Sequence, residues 1–440
     1  MRITHSIKNF LRLPTDLPIN AEVRQHFRHN FTTNFTDSIF WLLGDSFVSV
    51  STIIPVFAST LTDSPVLIGL VPALIDAGWF IPQLLMAGYV HRLQHKMPFA
   101  RIMAIMERIP YLFLPLTAFM LPWVSKDLAL VFFLLVVAWR GVASGMVALP
   151  WQEVIASVIP SQVRSRYFGV SHTFGRILGV LGSGVSTFIL ANFAYPNNYA
   201  LSFMIGAVFI WISFFFFART IEPKPAPAAP DVIELKQKGF FSDLSAYKAI
   251  LKRDTNFVRY LVSRAFVHVG GMAVAFLAVF GIQQYRLADE QAAIFTGMIF
   301  FSGTLGYIVF GLIGDRIGPR QTVFFADVMQ AGVLFLAFLS PGLWSIYLIF
   351  FIFGFAQSAY VIGGLIIGME LGPDDERPIY IGLARTLPGF VILIAPIIGG
   401  LLVNWLGFQT MFLVAFFFTL AGTGLILGVS DRKSVQRQHP

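Results

Sequence analysis

Pro160-Ser-Gln-Val-Arg164-Ser-Arg-Tyr167-Phe-Gly169 returns, 213 residues further along, as Pro373-Asp-Asp-Glu-Arg377-Pro-Ile-Tyr380-Ile-Gly382. Proline, arginine, tyrosine and glycine stand in one register, and Thr173 against Thr386 continues it. Each copy sits at the entry to a long apolar run, so the chain reads as one plan used twice. Composition says what kind of plan. The 440 residues are 56% hydrophobic and 12% charged, with mean hydropathy +0.73. An average soluble domain is ~25% charged, and half that charge cannot cover the surface of a globular protein this long, so the soluble class is excluded. Zero cysteines exclude disulfide frameworks, thiolate metal sites and cysteine nucleophiles together.

A membrane-spanning helix needs ~20 mainly apolar residues. Six such runs precede the longest connection, at 34–60, 65–90, 98–122, 127–150, 166–193 and 198–218. Six follow it, at 256–285, 290–314, 321–340, 343–369, 378–404 and 408–429. The pattern predicts an all-α integral membrane fold with twelve transmembrane helices in two pseudo-symmetric six-helix bundles. Its divisions are a tail over 1–33, a bundle over 34–218, a linker over 219–255, a bundle over 256–429 and a tail over 430–440. The first 33 residues carry no apolar core, so no cleaved signal peptide is expected.

The 31 Lys and Arg set the orientation. With both termini inside, 24 fall in the tails and inner loops, five lie within spans, and the outer loops hold Lys126 and Arg286. This asymmetry predicts cytoplasmic termini in the plasma (inner) membrane and assigns the net charge of +8 to anionic lipid rather than nucleic acid. The linker opens with the stiff stretch Glu222-Pro-Lys-Pro-Ala-Pro-Ala-Ala-Pro230. Phe240, Phe241, Leu244, Tyr247, Ile250 and Leu251 then recur at helical spacing opposite Lys236, Lys238, Lys248, Lys252 and Arg253. Such a helix either lies along the inner leaflet or is a solvated connector.

Gly311-Leu-Ile-Gly-Asp315-Arg316-Ile-Gly318-Pro-Arg320 follows the eighth span, and Ala87-Gly-Tyr-Val-His91-Arg92-Leu-Gln94-His95-Lys96 follows the second, with histidine at the aspartate's place. On these motifs and the repeat, the sequence resembles the major facilitator superfamily of secondary transporters over essentially its whole length. The resemblance implies a central cavity between the halves, open alternately to each side. It also implies inner-side gating: Asp315, Arg316 and Arg320 beside Arg164 and Arg166, and in the other half His91, Arg92, His95 and Lys96 facing Asp374, Asp375 and Glu376. These charges either form two ion-pair latches, one with titrating histidines, or simply set topology.

Even low estimates put a lone intramembrane charge at ~2.5–3.5 kcal/mol. The spans hold Asp45, Asp76, Glu107, Arg108, Arg140, Arg176, Arg264, Asp327 and Arg385, with His172 and His268 near them. Asp45, Asp76, Glu107 and Arg140 lie at similar depth. Arg140 stands where the family often has a fourth-helix arginine, and Asp45 is its expected partner, either as a proton-linked pair or as a permanent structural one. Glu107 and Arg108 are sequence neighbours pointing apart and are not expected to pair. Arg264 and His268 share one face of the seventh span and, with Arg385, suggest a site for an anionic group, unless Arg264 caps a carboxylate such as Asp327. Trp41, Trp79, Trp139 and Trp151 line an amphipathic pocket or face lipid.

No P-loop, Gly-x-Ser-x-Gly or His-Glu-x-x-His occurs, so no catalytic residue, cofactor or metal is assigned and the chain is not expected to be an enzyme. The expectation is a monomeric secondary transporter among membrane lipids, exporting an amphipathic organic solute with proton coupling. The alternatives are an organic-anion exchanger or uptake permease, and a lipid-moving or sensory protein that keeps the fold.

Overall fold

Gly407 decides how many times the chain crosses. A computed structural model describes residues 13, 19–224, 244–371 and 377–430, without the side chains of 84, 85, 87, 88, 91, 92, 244–247, 315, 365, 366, 368–370, 377–379, 381, 382 and 385–387. Among the described residues, ten helical stretches are long and apolar enough to span a membrane. One of them, Pro388–Leu427, has 40 residues and is ~60 Å long at 1.5 Å per residue, about twice a bilayer core. It is broken at Gly407, whose φ of 83° is open to glycine at little cost. That stretch therefore supplies the eleventh and twelfth passes.

The first pass joins Ala21–Asp45 to Ile53–Leu61; its lower half is too polar to count on apolarity. Passes two to six are Pro65–Arg92, Met97–Phe119, Lys126–Val158, Ser161–Asn192 and Asn197–Phe217. After the linker helix Leu244–Arg253, the seventh pass runs through Thr255–Gly270, a 3₁₀ turn and Val274–Tyr285. Passes eight to ten are Gln291–Ile317, Pro319–Leu339 and Leu343–Glu370, and Arg377 begins the eleventh. Twelve passes result.

The first helix starts well before the expected span. Asn20 caps it by accepting from the Glu22 amide at 2.9 Å, and Phe27 and Phe31 are buried against Ile155, Val158 and Tyr167. The stretch expected as a polar tail is thus, from Ala21 on, a packed extension. The reason is its spacing: Val23, Phe27 and Phe31 fall on one helical face. The linker helix buries Ile250 against Phe257 and Tyr380 of the second bundle, while Lys248, Lys252 and Arg253 are exposed. Lys236, Lys238, Phe240 and Phe241 lie outside the described residues.

Repeat symmetry reappears in glycine seams. In the first bundle, a Cβ on Gly141 or Gly145 would strike the backbone of Leu74 or Gly78 in the second pass. In the second, one on Gly306 or Gly354 would strike Ser358 or the Ile299 backbone between passes eight and ten. Small residues let helices approach where lipid supplies no hydrophobic drive.

The two bundles meet unevenly. One apolar cluster, from Ile53, Phe57 and Ile68 to Phe276, Phe280, Phe295 and Phe412, crosses between them at the end away from the linker. There Gly400 lies against the Pro65 backbone and Gly69 against Pro396. The clusters at the linker end each stay within one bundle, and Gly169 and Gly311 border open space. Among the described residues, the apolar packing that joins the bundles lies at the far side, and the linker-side clusters do not cross between them.

Candidate functional site

Burying a charge costs several kcal/mol unless it is paired and hydrogen-bonded, so the partners of each intramembrane charge show which are free to act. In the first bundle the Arg140 Nε donates to the Tyr111 hydroxyl at 2.8 Å, and its guanidinium lies 4.8 Å from that ring's centre. Its Nη2 meets Asp45 Oδ1 at 3.4 Å. The two partners differ in access: the Arg140 side chain is 6% exposed and that of Asp45 31%. Asp76 acts on Arg140 from the second pass. Asp76 and Trp79, three residues apart on one helical face, are both exposed.

A second network lies nearer the linker side. The Arg108 Nη1 donates to Glu107 Oε2 at 2.8 Å and to the Ala104 carbonyl at 3.2 Å, and its Nη2 is 3.8 Å from Asp37. Ser213 donates to Asp37 at 2.5 Å, and Trp41 lies under the Arg108 guanidinium at 4.9 Å. The expectation that Glu107 and Arg108 do not pair is overturned. Neighbouring helical side chains leave the axis ~100° apart, but these two are long, and Arg108 folds back along its own helix far enough to close the gap. Trp41 packs edge-on against Tyr111 at 6.0 Å, inside the bundle rather than on an open wall.

The second bundle holds one tight pair. Arg264 donates from Nη1 to Asp327 Oδ1 at 3.0 Å and from Nη2 to Oδ2, and also to Ser263 at 2.9 Å. Arg264 is 1% exposed. The structure therefore commits Arg264 to Asp327 rather than to a solute, because a bidentate fork uses both terminal nitrogens of the guanidinium. His268, one turn along, stands edge-on to Tyr360 at 6.3 Å and is partly exposed. The side chain of Arg385 lies outside the described residues.

Two described members of the expected latches, Arg164 and Lys96, have partners other than those expected. Arg164 donates to the Ala156 and Ile159 carbonyls, at 3.0 Å and 3.2 Å from its Nη2, capping the fourth pass where the negative end of a helix dipole attracts a cation. Arg320 donates to the Val429 carbonyl at 2.9 Å. Arg316 is exposed and Arg166 half-buried, while Gly318 makes the tight turn between passes eight and nine at φ 91°. Lys96 pairs with Glu153 of its own bundle at 2.5 Å, not with acids of the eleventh pass. His95 is 4.0 Å from Glu222, whose carboxylate also accepts from the amides of Lys96 and Met97 and so caps the third pass. The side chains of His91, Arg92 and Asp315, and Asp374, Asp375 and Glu376 entirely, lie outside the described residues.

Three features escaped the sequence reading. Asp37 had a signal, being a carboxylate inside the first span, but stood so near its edge that it passed for boundary charge. On the far side, Thr52 and Thr296 share a 2.5 Å hydrogen bond between the bundles. Nearby, burial pushes the Asp289 carboxyl above its ordinary value, with Tyr199 of the other bundle opposing and Glu290 adding. Arg176, one of the expected intramembrane charges but given no role there, crosses from the fifth pass to lie over Phe300 and Tyr307 of the eighth, 5.6 Å and 5.0 Å from the ring centres. Among the described residues no cluster of three His, Asp or Glu could hold a metal ion.

This arrangement can be set beside known proteins. The model of the Major Facilitator Superfamily matches residues 40–325 and 261–439. Among solved structures, a mutant of the nucleoside transporter NupG superposes with a TM-score of 0.69 at 15% identity, over 91% of this chain and 99% of that one. A D-xylose–proton symporter gives 0.66 at 12%, over 91% and 97%. A bacterial homologue of the human lysosomal transporter Spinster, inward-facing and unoccupied, gives 0.66 at 14%, over 93% and 98%. No curated protein matches the chain.

Proposed function

The chain belongs to the major facilitator superfamily, whose members are secondary transporters, and on that premise we propose that it carries a small organic solute by alternating access, coupled to a proton held at Asp45. The observation behind this reading is the uneven pair Asp45–Arg140: an arginine locked by Tyr111 faces a carboxylate whose side chain stays 31% exposed. Two unit charges 4 Å apart at an effective dielectric of ~20 attract by about 4 kcal/mol, less here because Asp45 is partly exposed. Moving a two-state equilibrium from one side to the other takes about 5.5 kcal/mol. Loading one proton on Asp45 therefore supplies a useful fraction of the bias between linker-side-open and far-side-open forms.

The Lys and Arg distribution supports reading the linker side as cytoplasmic. Export of an amphipathic compound then begins from the state described here, with Trp79 beside Asp76 offering an aromatic face next to a carboxylate. A second reading, uptake or exchange of an organic anion, is favoured by Arg176, two of whose nitrogens are buried without a hydrogen-bond partner. The protein works as a monomer in lipid.

The test is transport by the full chain in proteoliposomes, using a panel of labelled amphipathic and anionic organic solutes under an imposed pH gradient. Gradient-driven accumulation of a solute is expected, and Asp45→Asn keeps counterflow exchange but loses accumulation. Full accumulation by Asp45→Asn overturns the coupling role. Exchange with no gradient dependence in the wild type favours the exchanger, and movement of no solute favours a sensory or lipid-moving protein.

A further inference from the structure

Of the described intramembrane arginines, Arg108, Arg140 and Arg264 each meet a carboxylate. Arg176 does not. Its Nε and Nη1 are buried with no hydrogen-bond partner, although it acts on Asp45 through its charge. Its position is nonetheless built. The guanidinium enters a slot on the eighth pass where Gly303 has no side chain; a Cβ there would collide with Nη1. Phe300 and Tyr307 lie 5.6 Å and 5.0 Å from the guanidinium carbon, and aromatic contact of this kind takes up none of the N–H groups. His172, one turn along the same helix, stacks on Tyr307 at 6.0 Å, bringing a further ring nitrogen to the same place. A planar fork with aromatic faces and unused edges matches an oxyanion.

We propose that Arg176, with His172 and Tyr307, is the docking point for an anionic group, a carboxylate or phosphate, on the transported solute. The inference rests on the transport reading above and narrows its solute. The site lies on the seam: Arg176 and His172 come from the first bundle, and Tyr307, Phe300 and the Gly303 slot from the second. An anion there is held by both halves at once, so it reports on and biases their relative position.

The probes are aryl and alkyl carboxylates and phosphates, among them naphthalene-2-carboxylate, octanoate and naphthyl phosphate, each beside a neutral counterpart such as naphthalene-2-carboxamide or octanamide. Binding is read as thermal stabilisation of the purified full chain. At least one anionic probe is expected to bind more tightly than its neutral counterpart. Arg176→Gln erases that preference, a loss of roughly tenfold or more; Arg176→Lys restores part of it. Gly303→Ala weakens it without removing a charge. Equal binding of each anionic probe and its neutral counterpart, or a preference that survives Arg176→Gln, overturns the site. If added phosphatidylglycerol abolishes the preference, the fork holds a lipid headgroup and the solute assignment is wrong. Gradient-driven transport of neutral solutes alone would sink this site and leave proton coupling standing. Anion preference together with full accumulation by Asp45→Asn would do the reverse.

Discussion

The two bundles hold their first and third helices together with buried ion pairs of opposite polarity. In the first bundle the carboxylate, Asp37, is on the first pass and Arg108 on the third. In the second, Arg264 is on the seventh pass and Asp327 on the ninth. The same two helix positions of each half are bridged, with the signs exchanged. The difference lies in what surrounds each pair. The second bundle's pair is closed on itself and dry, whereas the first adds Glu107, Asp45, Asp76 and Arg140 within mutual influence. On the proposed mechanism the second bundle is a platform, and the first carries the groups whose charge changes as the molecule cycles.

The largest effect should come from breaking the closed pair. Asp327→Ala leaves Arg264 buried and uncompensated, at a cost of about 3–5 kcal/mol, while replacing both residues with leucine recovers most of it. Unfolding of the purified protein measures both. If Asp327→Ala costs no more than Asp45→Ala, the contrast between platform and titrating half is gone, since the partly exposed Asp45 is expected to cost less. Removing a helix cap is the next largest: Glu222→Ala frees the amides of Lys96 and Met97 and lowers stability by about 0.5–2 kcal/mol, with Glu222→Gln falling between.

Subtler still is the far-side closure. Thr52→Val removes the cross-bundle hydrogen bond to Thr296, worth about 0.5–1.5 kcal/mol, and increases labelling of a cysteine introduced beside it. Its pH dependence sharpens the comparison. Burial raises Asp289 above the usual carboxylate value, so the closed form is favoured while that group is protonated. Its contribution is complete below the ordinary value of 3.8 and is lost as pH rises through the higher value reached on closure. Far-side labelling should thus climb with pH in that window and be flat in Asp289→Asn.

Much of this was legible in one dimension because lipid enforces it: runs of apolar residues, a Lys and Arg asymmetry and a repeat at Pro160 and Pro373 follow from crossing a bilayer twelve times. Asp45 facing Arg140 could be guessed from equal depth, and Asp327 beside Arg264 was already the milder alternative. Other contacts were hidden by side-chain length. Glu107 and Arg108 bend to meet, Lys96 turns to Glu153, and Arg164 spends its donors on the Ala156 and Ile159 carbonyls rather than on a carboxylate.

What the sequence settled by itself is the number of passes, their grouping in sixes and the sidedness of the charges, since each depends on residue type and spacing against a slab of fixed thickness. Only the folded molecule decided which arginines are spent and which is left over. Pairing depends on where twelve helices bring their faces together in three dimensions, and no spacing along the chain records that Gly303 leaves room for Arg176.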